Sequence, residues 1–161
     1  VSLAEAQRRK GERKEGERNR ILGFGEAYPT GSAPMHENEI SRLVVDAAYQ
    51  VHVKLGPGLL ESVYETILKF ELERRGLRVQ RQEPVTVVYE GIRFDEGFRA
   101  DLIVESKVLI ELKSVEEIAP VHKKQVLTYL KLTGIRLGLL INFGAPRIKD
   151  GITRIVNGLD D

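Results

Sequence analysis

The residues whose types and spacing fit together chemically are Asp101, Glu111 and Lys113, within the run Arg99-Ala100-Asp101-Leu102-Ile103-Val104-Glu105-Ser106-Lys107-Val108-Leu109-Ile110-Glu111-Leu112-Lys113. Side chains two apart on a strand share a face, so Glu111 and Lys113 project together while Ile110 and Leu112 point the other way. A hairpin turning at Glu105-Ser106 can bring Asp101 beside them. Two acids and a base on one patch of an otherwise apolar sheet are costly unless the charges hold something. A hard divalent cation is the natural occupant. Magnesium prefers carboxylate and carbonyl oxygens, so Asp101, Glu111 and the Leu112 carbonyl would suit it, with water and a phosphate completing the shell. Lys113 would then orient or deprotonate the attacking water and stabilise charge on the phosphoryl group. The rival reading, a structural ion-pair patch, is disfavoured by flanking segments as apolar as Leu102 to Val104 and Val108 to Ile110.

Composition narrows the chemistry further. The chain has 161 residues, enough for one ordinary domain with its own core, and no cysteine. Disulfide frameworks, thiolate zinc sites, thiol nucleophiles and iron–sulfur ligation are thereby excluded. No apolar run approaches the roughly 18 residues of a membrane span, so a cytoplasmic protein without a membrane partner is expected. The net charge is +1, too small to announce a polyanion-binding surface by itself. Residues 1–34 carry seven Lys and Arg and five Asp and Glu, with many Gly and Pro, and are expected to be a disordered or dispensable extension. A basic arm touching nucleic acid is the less favoured reading there, because the acids dilute the bases. Met35, the only methionine, is the expected natural initiator, and residues 35–161 form the domain, with a net charge of −1.

The elements that must position these residues follow from periodicity. Ile40, Leu43, Val44, Ala47, Ala48 and Val51 predict an amphipathic helix over about 37–54, stopped by Gly56-Pro57-Gly58. A second helix is predicted with Leu60, Val63, Tyr64, Ile67, Leu68 and Phe70 as its buried face and Gly76 at its C-terminal cap. The period then changes to two. Strands are predicted over 77–82 and 84–89, a turn at Gly91, and a hairpin of 97–104 with 107–113. A third helix runs from about Pro120 to Lys131 and ends by Gly134; strands over 136–143 and 152–156 follow. This order predicts an α+β, sandwich-like fold with a mixed central sheet flanked by helices.

Asp101 followed by Glu111-Leu112-Lys113 resembles the signature of the PD-(D/E)XK nucleases, the restriction-endonuclease-like superfamily. Gly58-Leu59-Leu60-Glu61-Ser62-Val63-Tyr64 is similar to the name-giving pattern of the GxxExxY proteins within it, and the likeness covers about residues 37–157. Ala100 stands where the superfamily name has Pro, which leaves Asp101 in place. Gln125-Val126-Leu127-Thr128-Tyr129 resembles the Q-x-x-x-Y element of RecB-type and CRISPR-associated exonucleases. The resemblance implies a Mg²⁺- or Mn²⁺-dependent nuclease, with DNA as the expected substrate and a homodimer as an allowed assembly. It implies Asp101 and Glu111 as metal ligands and Glu61 as a further ligand or water-positioning group. Gln125 would orient the lysine or a phosphate, Tyr129 would contact nucleic acid or close the site, and Tyr64 would join the substrate surface, unless either tyrosine is a core aromatic with a bonded hydroxyl.

Several residues carry plainer readings. Glu61 is favoured at a helix start by the helix dipole alone. His36, His52 and His122 lack a second His or Cys at metal spacing, and Glu116 with Glu117 reads as a solvated turn. The rival function is a catalytically weak or silent nuclease-fold module that binds nucleic acid or protein, favoured by the near-neutral charge and the absence of Trp. A DNA-binding regulator is weaker, since no helix-turn-helix or basic helix is present.

Overall fold

The structure, a computed structural model, describes residues 33–160. The expectations for residues 1–32 therefore lie outside the described residues. Three helices and five strands follow in the order α1 (Glu37–Leu55), α2 (Glu61–Arg74), β1 (Val79–Tyr89), β2 (Ile92–Val104), β3 (Val108–Lys113), α3 (Pro120–Thr133), β4 (Leu137–Asn142) and β5 (Ile152–Val156), with a 3₁₀ turn at Ile148–Gly151. The strands form one sheet in the order β1-β2-β3-β4-β5. Only β3 and β4 run parallel, as they must when a helix crosses between them; every other pair is antiparallel. The result is the mixed, helix-flanked α+β architecture expected from the sequence.

The two faces of the sheet are distinguished by residue parity. Leu102, Val104, Val108, Ile110, Leu112, Leu139 and Ile141 face one way and join Ile40, Val44, Ala48 and Val51 of α1 and Tyr64, Leu68 and Leu72 of α2 in the main core. The buried face of α2 is thus an i, i+4, i+8 stripe. Leu60 and Phe70, expected inside, are 74% and 60% exposed, because only one narrow stripe of this helix meets α1 and the sheet. Gly76 ends α2 with a positive φ; its N–H donates to the Glu73 carbonyl and the Leu77 N–H to the Leu72 carbonyl, the paired bonds of a Schellman motif.

On the opposite face, α3 rests on Gly138. A Cβ there would lie 2.7 Å from Val126 Cγ1 and 3.3 Å from both Leu130 methyls, so the helix is seated directly on β4 backbone. Val126 is stiff at χ1 and cannot swing away within a helix. Gly138→Ala should therefore lift α3 and lower stability by about 1–3 kcal/mol in a denaturant titration, whereas an unneeded glycine in a strand would gain stability on the same change.

The predicted strands 77–82 and 84–89 are one continuous strand. Pro84 lacks the N–H that a central ladder needs, but β1 is an edge strand, where that loss is tolerated. The sequence break survives as a local distortion: Gln82 has φ 52°. The hairpin at Glu105-Ser106 forms as expected, both residues lying at positive φ (51° and 57°). Glu105 secures it by accepting from the Arg78 backbone N–H at 2.7 Å and from Arg78 Nη2 at 3.0 Å.

Candidate active site

The β2–β3 ladder begins at the hairpin and ends at the pair Leu102–Ile110. Beyond it, β2 continues with β1 and β3 continues with β4, so the two central strands part and open a cleft between them. Asp101 stands at the point of parting. Its Oδ2 accepts the Leu112 N–H at 2.8 Å, replacing the next rung of the ladder with a side chain. A residue's N–H and C=O point to the same edge of a strand. The Leu112 carbonyl therefore points toward Asp101 and past the last laddered pair.

Glu111 and Lys113 share the face of Gly138, since Leu109 pairs with Gly138 in the β3–β4 register. The Lys113 ammonium lies 3.4 Å from Glu111 Oε1. The Glu111 side chain is only 7% exposed, and its Oε2 is buried without a hydrogen-bond partner among the described residues. An orphaned carboxylate oxygen in a buried site is expensive to leave unmatched. Burial and then the neighbouring Asp101 charge push the Glu111 carboxyl up to about 7, against the pull of Lys113. Burial also raises Asp101, opposed by the Leu112 N–H and reinforced by Glu65. Two carboxylates with raised pKa values beside one lysine describe a site short of positive charge.

The helices bring in the remaining residues from both layers. Tyr64 donates to the Gly56 carbonyl at 2.5 Å and accepts the Leu59 N–H at 3.2 Å, while its ring stacks on Phe143 at 4.4 Å. Ser114, just after β3, donates to the Leu59 carbonyl at 2.6 Å. The turn before α2 is thereby tied both to its own helix and to the end of β3, which sets the exposed Glu61 at the rim, close enough for its charge to raise Asp101. Tyr64 itself is fully buried. The expectation that it contacts substrate is corrected: both functions of its hydroxyl are spent on the turn.

From α3, the Gln125 amide donates to the Tyr129 hydroxyl at 2.6 Å. Burial, followed by the Glu111 charge, raises the Tyr129 phenol, which places that hydroxyl within reach of the carboxylates' field. Tyr129 is 2% exposed and its ring packs on Phe98 at 5.2 Å. It holds Gln125 in position and offers no open face to a nucleotide, which leaves closing the site, and not contact with nucleic acid, as the part of its expected role that fits. The histidines are structural: His36 caps α1, His52 Nε2 lies 2.9 Å from the Ala145 carbonyl, and His122 Nδ1 accepts the Ala119 N–H.

Two residues were not singled out in the sequence. Glu65, one turn after Glu61, is buried and receives Arg81 Nε at 2.6 Å. The Gln82 amide donates to both of its oxygens, at 3.0 and 2.9 Å, and to Asp101 Oδ1 at 3.3 Å. The available signal was an acid beside Tyr64 and one position off the Tyr64-Leu68-Leu72 stripe; nothing local marked Gln82.

Among the described residues, no group of three or more His, Cys, Asp or Glu side chains is arranged to hold a metal ion. The oxygen donors that converge on the cleft are two carboxylates and a backbone carbonyl, a set that suits Mg²⁺, which commonly takes only one or two carboxylates and keeps its remaining positions for water and phosphate. The orphaned Glu111 Oε2 supports that fit. Among the described residues, no helix is long and apolar enough to cross a membrane.

No curated protein and no solved structure matches the chain. A family model does, that of the PD-(D/E)XK nuclease superfamily, over residues 38–155. With the match spanning the helices, the parted strands and the Asp101–Glu111–Lys113 cluster, the chain belongs to the PD-(D/E)XK nuclease superfamily.

Proposed function

We propose that this protein is a divalent-metal-dependent nuclease that hydrolyses phosphodiester bonds, with DNA as its substrate. The observation that carries the reading is the buried Glu111 Oε2, unpartnered beside Asp101 and Lys113 where β2 and β3 part. Asp101, Glu111 and the Leu112 carbonyl would hold Mg²⁺ or Mn²⁺, with Glu61 at the rim available as a further ligand. Bound there, the cation would neutralise phosphate charge and polarise the phosphodiester toward attack.

The chain's own groups supply the rest. Lys113 donates toward the attacking water and toward the charge that develops on phosphorus-bound oxygens. Glu111 anchors Lys113 by accepting from its ammonium, so acid and base arrive as one unit. Gln125, fixed by Tyr129, faces the incoming phosphate or the lysine. Residues 35–161 carry a net charge of −1, so attraction to nucleic acid is local to the loaded site and not spread over the surface. The rival reading, a silent nuclease-fold module, draws on the near-neutral charge and the absence of Trp.

The test is incubation of the full chain with labelled single-stranded, double-stranded and circular DNA and Mn²⁺, beside Lys113→Ala. Cleavage by the native chain that is lost in the variant and abolished by chelation is the expected result. Equal cleavage by both proteins would reveal contamination and remove the proposal. Mn²⁺ binding without cleavage would favour the silent module.

A further inference from the structure

Gln82 is held in an unfavourable backbone conformation at the place where it meets the cleft. It lies between Arg81, paired with Leu102, and Glu83, paired with Ala100, so it stands directly opposite Asp101 on the neighbouring strand. A regular strand sends consecutive side chains to opposite faces. Arg81 and Gln82 nevertheless both reach Glu65, Arg81 at 2.6 Å and Gln82 at 2.9 Å. The φ of 52° at Gln82 is what breaks the alternation, and for a residue with a Cβ inside a strand it is rare. Outside a turn, such a conformation persists only where its surroundings hold it, and strain of this kind clusters at functional sites.

The contacts show what the distortion achieves. One face of the amide nitrogen meets the Glu65 carboxylate and the other meets Asp101 Oδ1 at 3.3 Å. Only the nitrogen end of an amide can face two carboxylates, so its orientation follows from its neighbours. With Oδ2 accepting the Leu112 N–H, both Asp101 oxygens are held by neutral donors. Arg81 balances the charge on Glu65, which leaves the charge on Asp101 for the cleft.

We infer that Gln82, braced by Glu65 and Arg81, is a positioning residue that fixes the Asp101 carboxylate for divalent-cation binding, an inference that rests on the proposed reading of the site. A neutral donor suits this role: it orients a carboxylate without cancelling the charge the cation needs. Outer hydrogen-bond partners of metal ligands commonly control about 10–100-fold of affinity.

The experiment is calorimetric titration of Mn²⁺ into the full chain, Gln82→Gly, Gln82→Asn and Asp101→Asn, with a thermal melt of each. Glycine adopts φ 52° without strain but has no amide, so Q82G gains from the relieved backbone and loses the donor to Glu65 Oε2; it should melt within a few degrees of the native temperature and bind Mn²⁺ about tenfold or more weakly. Asparagine also tolerates this conformation, but its amide sits on a stem too short to span both carboxylates, so Q82N should bind between Q82G and the native chain. Mn²⁺ affinity in Q82G within twofold of native, with binding still lost in Asp101→Asn, would overturn this inference alone. If Q82G does not fold, native-like affinity in Q82N overturns it equally. Failure of the native chain to bind Mn²⁺ would overturn both the inference and the reading on which it rests.

Discussion

Glu111→Gln is expected to abolish Mn²⁺-dependent cleavage and at the same time to stabilise the metal-free protein at pH 8. The two effects have one origin. The Glu111 carboxyl is pushed up to about 7, first by burial and then by Asp101, and one of its oxygens has no partner. A folded-state value above the unfolded one gives stability that is fully present below about pH 4.5 and is lost as pH rises through about 7. A gap of that size corresponds to up to about 3 kcal/mol across the window. The native chain should therefore weaken between pH 5 and 8 in the absence of metal, while Glu111→Gln, having no charge to bury, should stay nearly flat and melt higher at pH 8. Saturating Mn²⁺ should reverse the order: at about 1,000 times its dissociation constant a ligand adds roughly 4.1 kcal/mol to the protein that binds it and nothing to one that does not. Thermal melts of both proteins at pH 5 and 8, with Mn²⁺ and with chelator, measure all four terms. A native chain whose stability rises from pH 5 to 8 without metal would contradict the description of this carboxylate.

Lys113→Ala is expected to lower the cleavage rate by about 10²–10⁴-fold while leaving Mn²⁺ affinity within a few-fold of native. Lys113 is not a metal ligand in this reading. Its ammonium sits 3.4 Å from Glu111 Oε1, where it steadies the carboxylate. Removing it takes away a positive charge that competes with the cation, so binding should not suffer. The loss should fall on the chemical step, since the charge that Lys113 meets develops only as the phosphodiester is attacked. Single-turnover cleavage with saturating Mn²⁺, beside calorimetry on the same proteins, separates the two quantities. A variant that loses metal binding as completely as Glu111→Gln would place Lys113 in the structure of the site and not in its chemistry.

The parts of this arrangement that could be read in the sequence are those fixed over short distances. The period of two that puts Glu111 and Lys113 on one face is a property of any strand, and the Glu105-Ser106 turn closes the hairpin that carries Asp101 back to them. Gly76 and Gly134 mark helix ends through local backbone bonds and do so where expected. What was misread depends on neighbours distant in sequence. Phe70 and Leu60 are apolar yet exposed, because the stripe of α2 that is covered is set by where α1 and the sheet lie. Pro84 suggests a break until β1 is known to be an edge strand. Tyr64 and Tyr129 are substrate contacts by the family resemblance, but both are buried, Tyr64 with its hydroxyl bonded to Gly56 and Tyr129 with its hydroxyl accepting from Gln125. Glu65 and Gln82 join the site only through a backbone distortion that no local pattern encodes.

The central claim is that the parting of β2 and β3 forms a divalent-cation site. Anomalous scattering from a crystal of the full chain soaked in Mn²⁺ tests it most directly. The expected result is a peak between the Asp101 and Glu111 carboxylates and the Leu112 carbonyl, absent from crystals of Glu111→Gln. A cleft without a peak in crystals of a protein that cleaves DNA with Mn²⁺, or a peak that persists unchanged in Glu111→Gln, would contradict it.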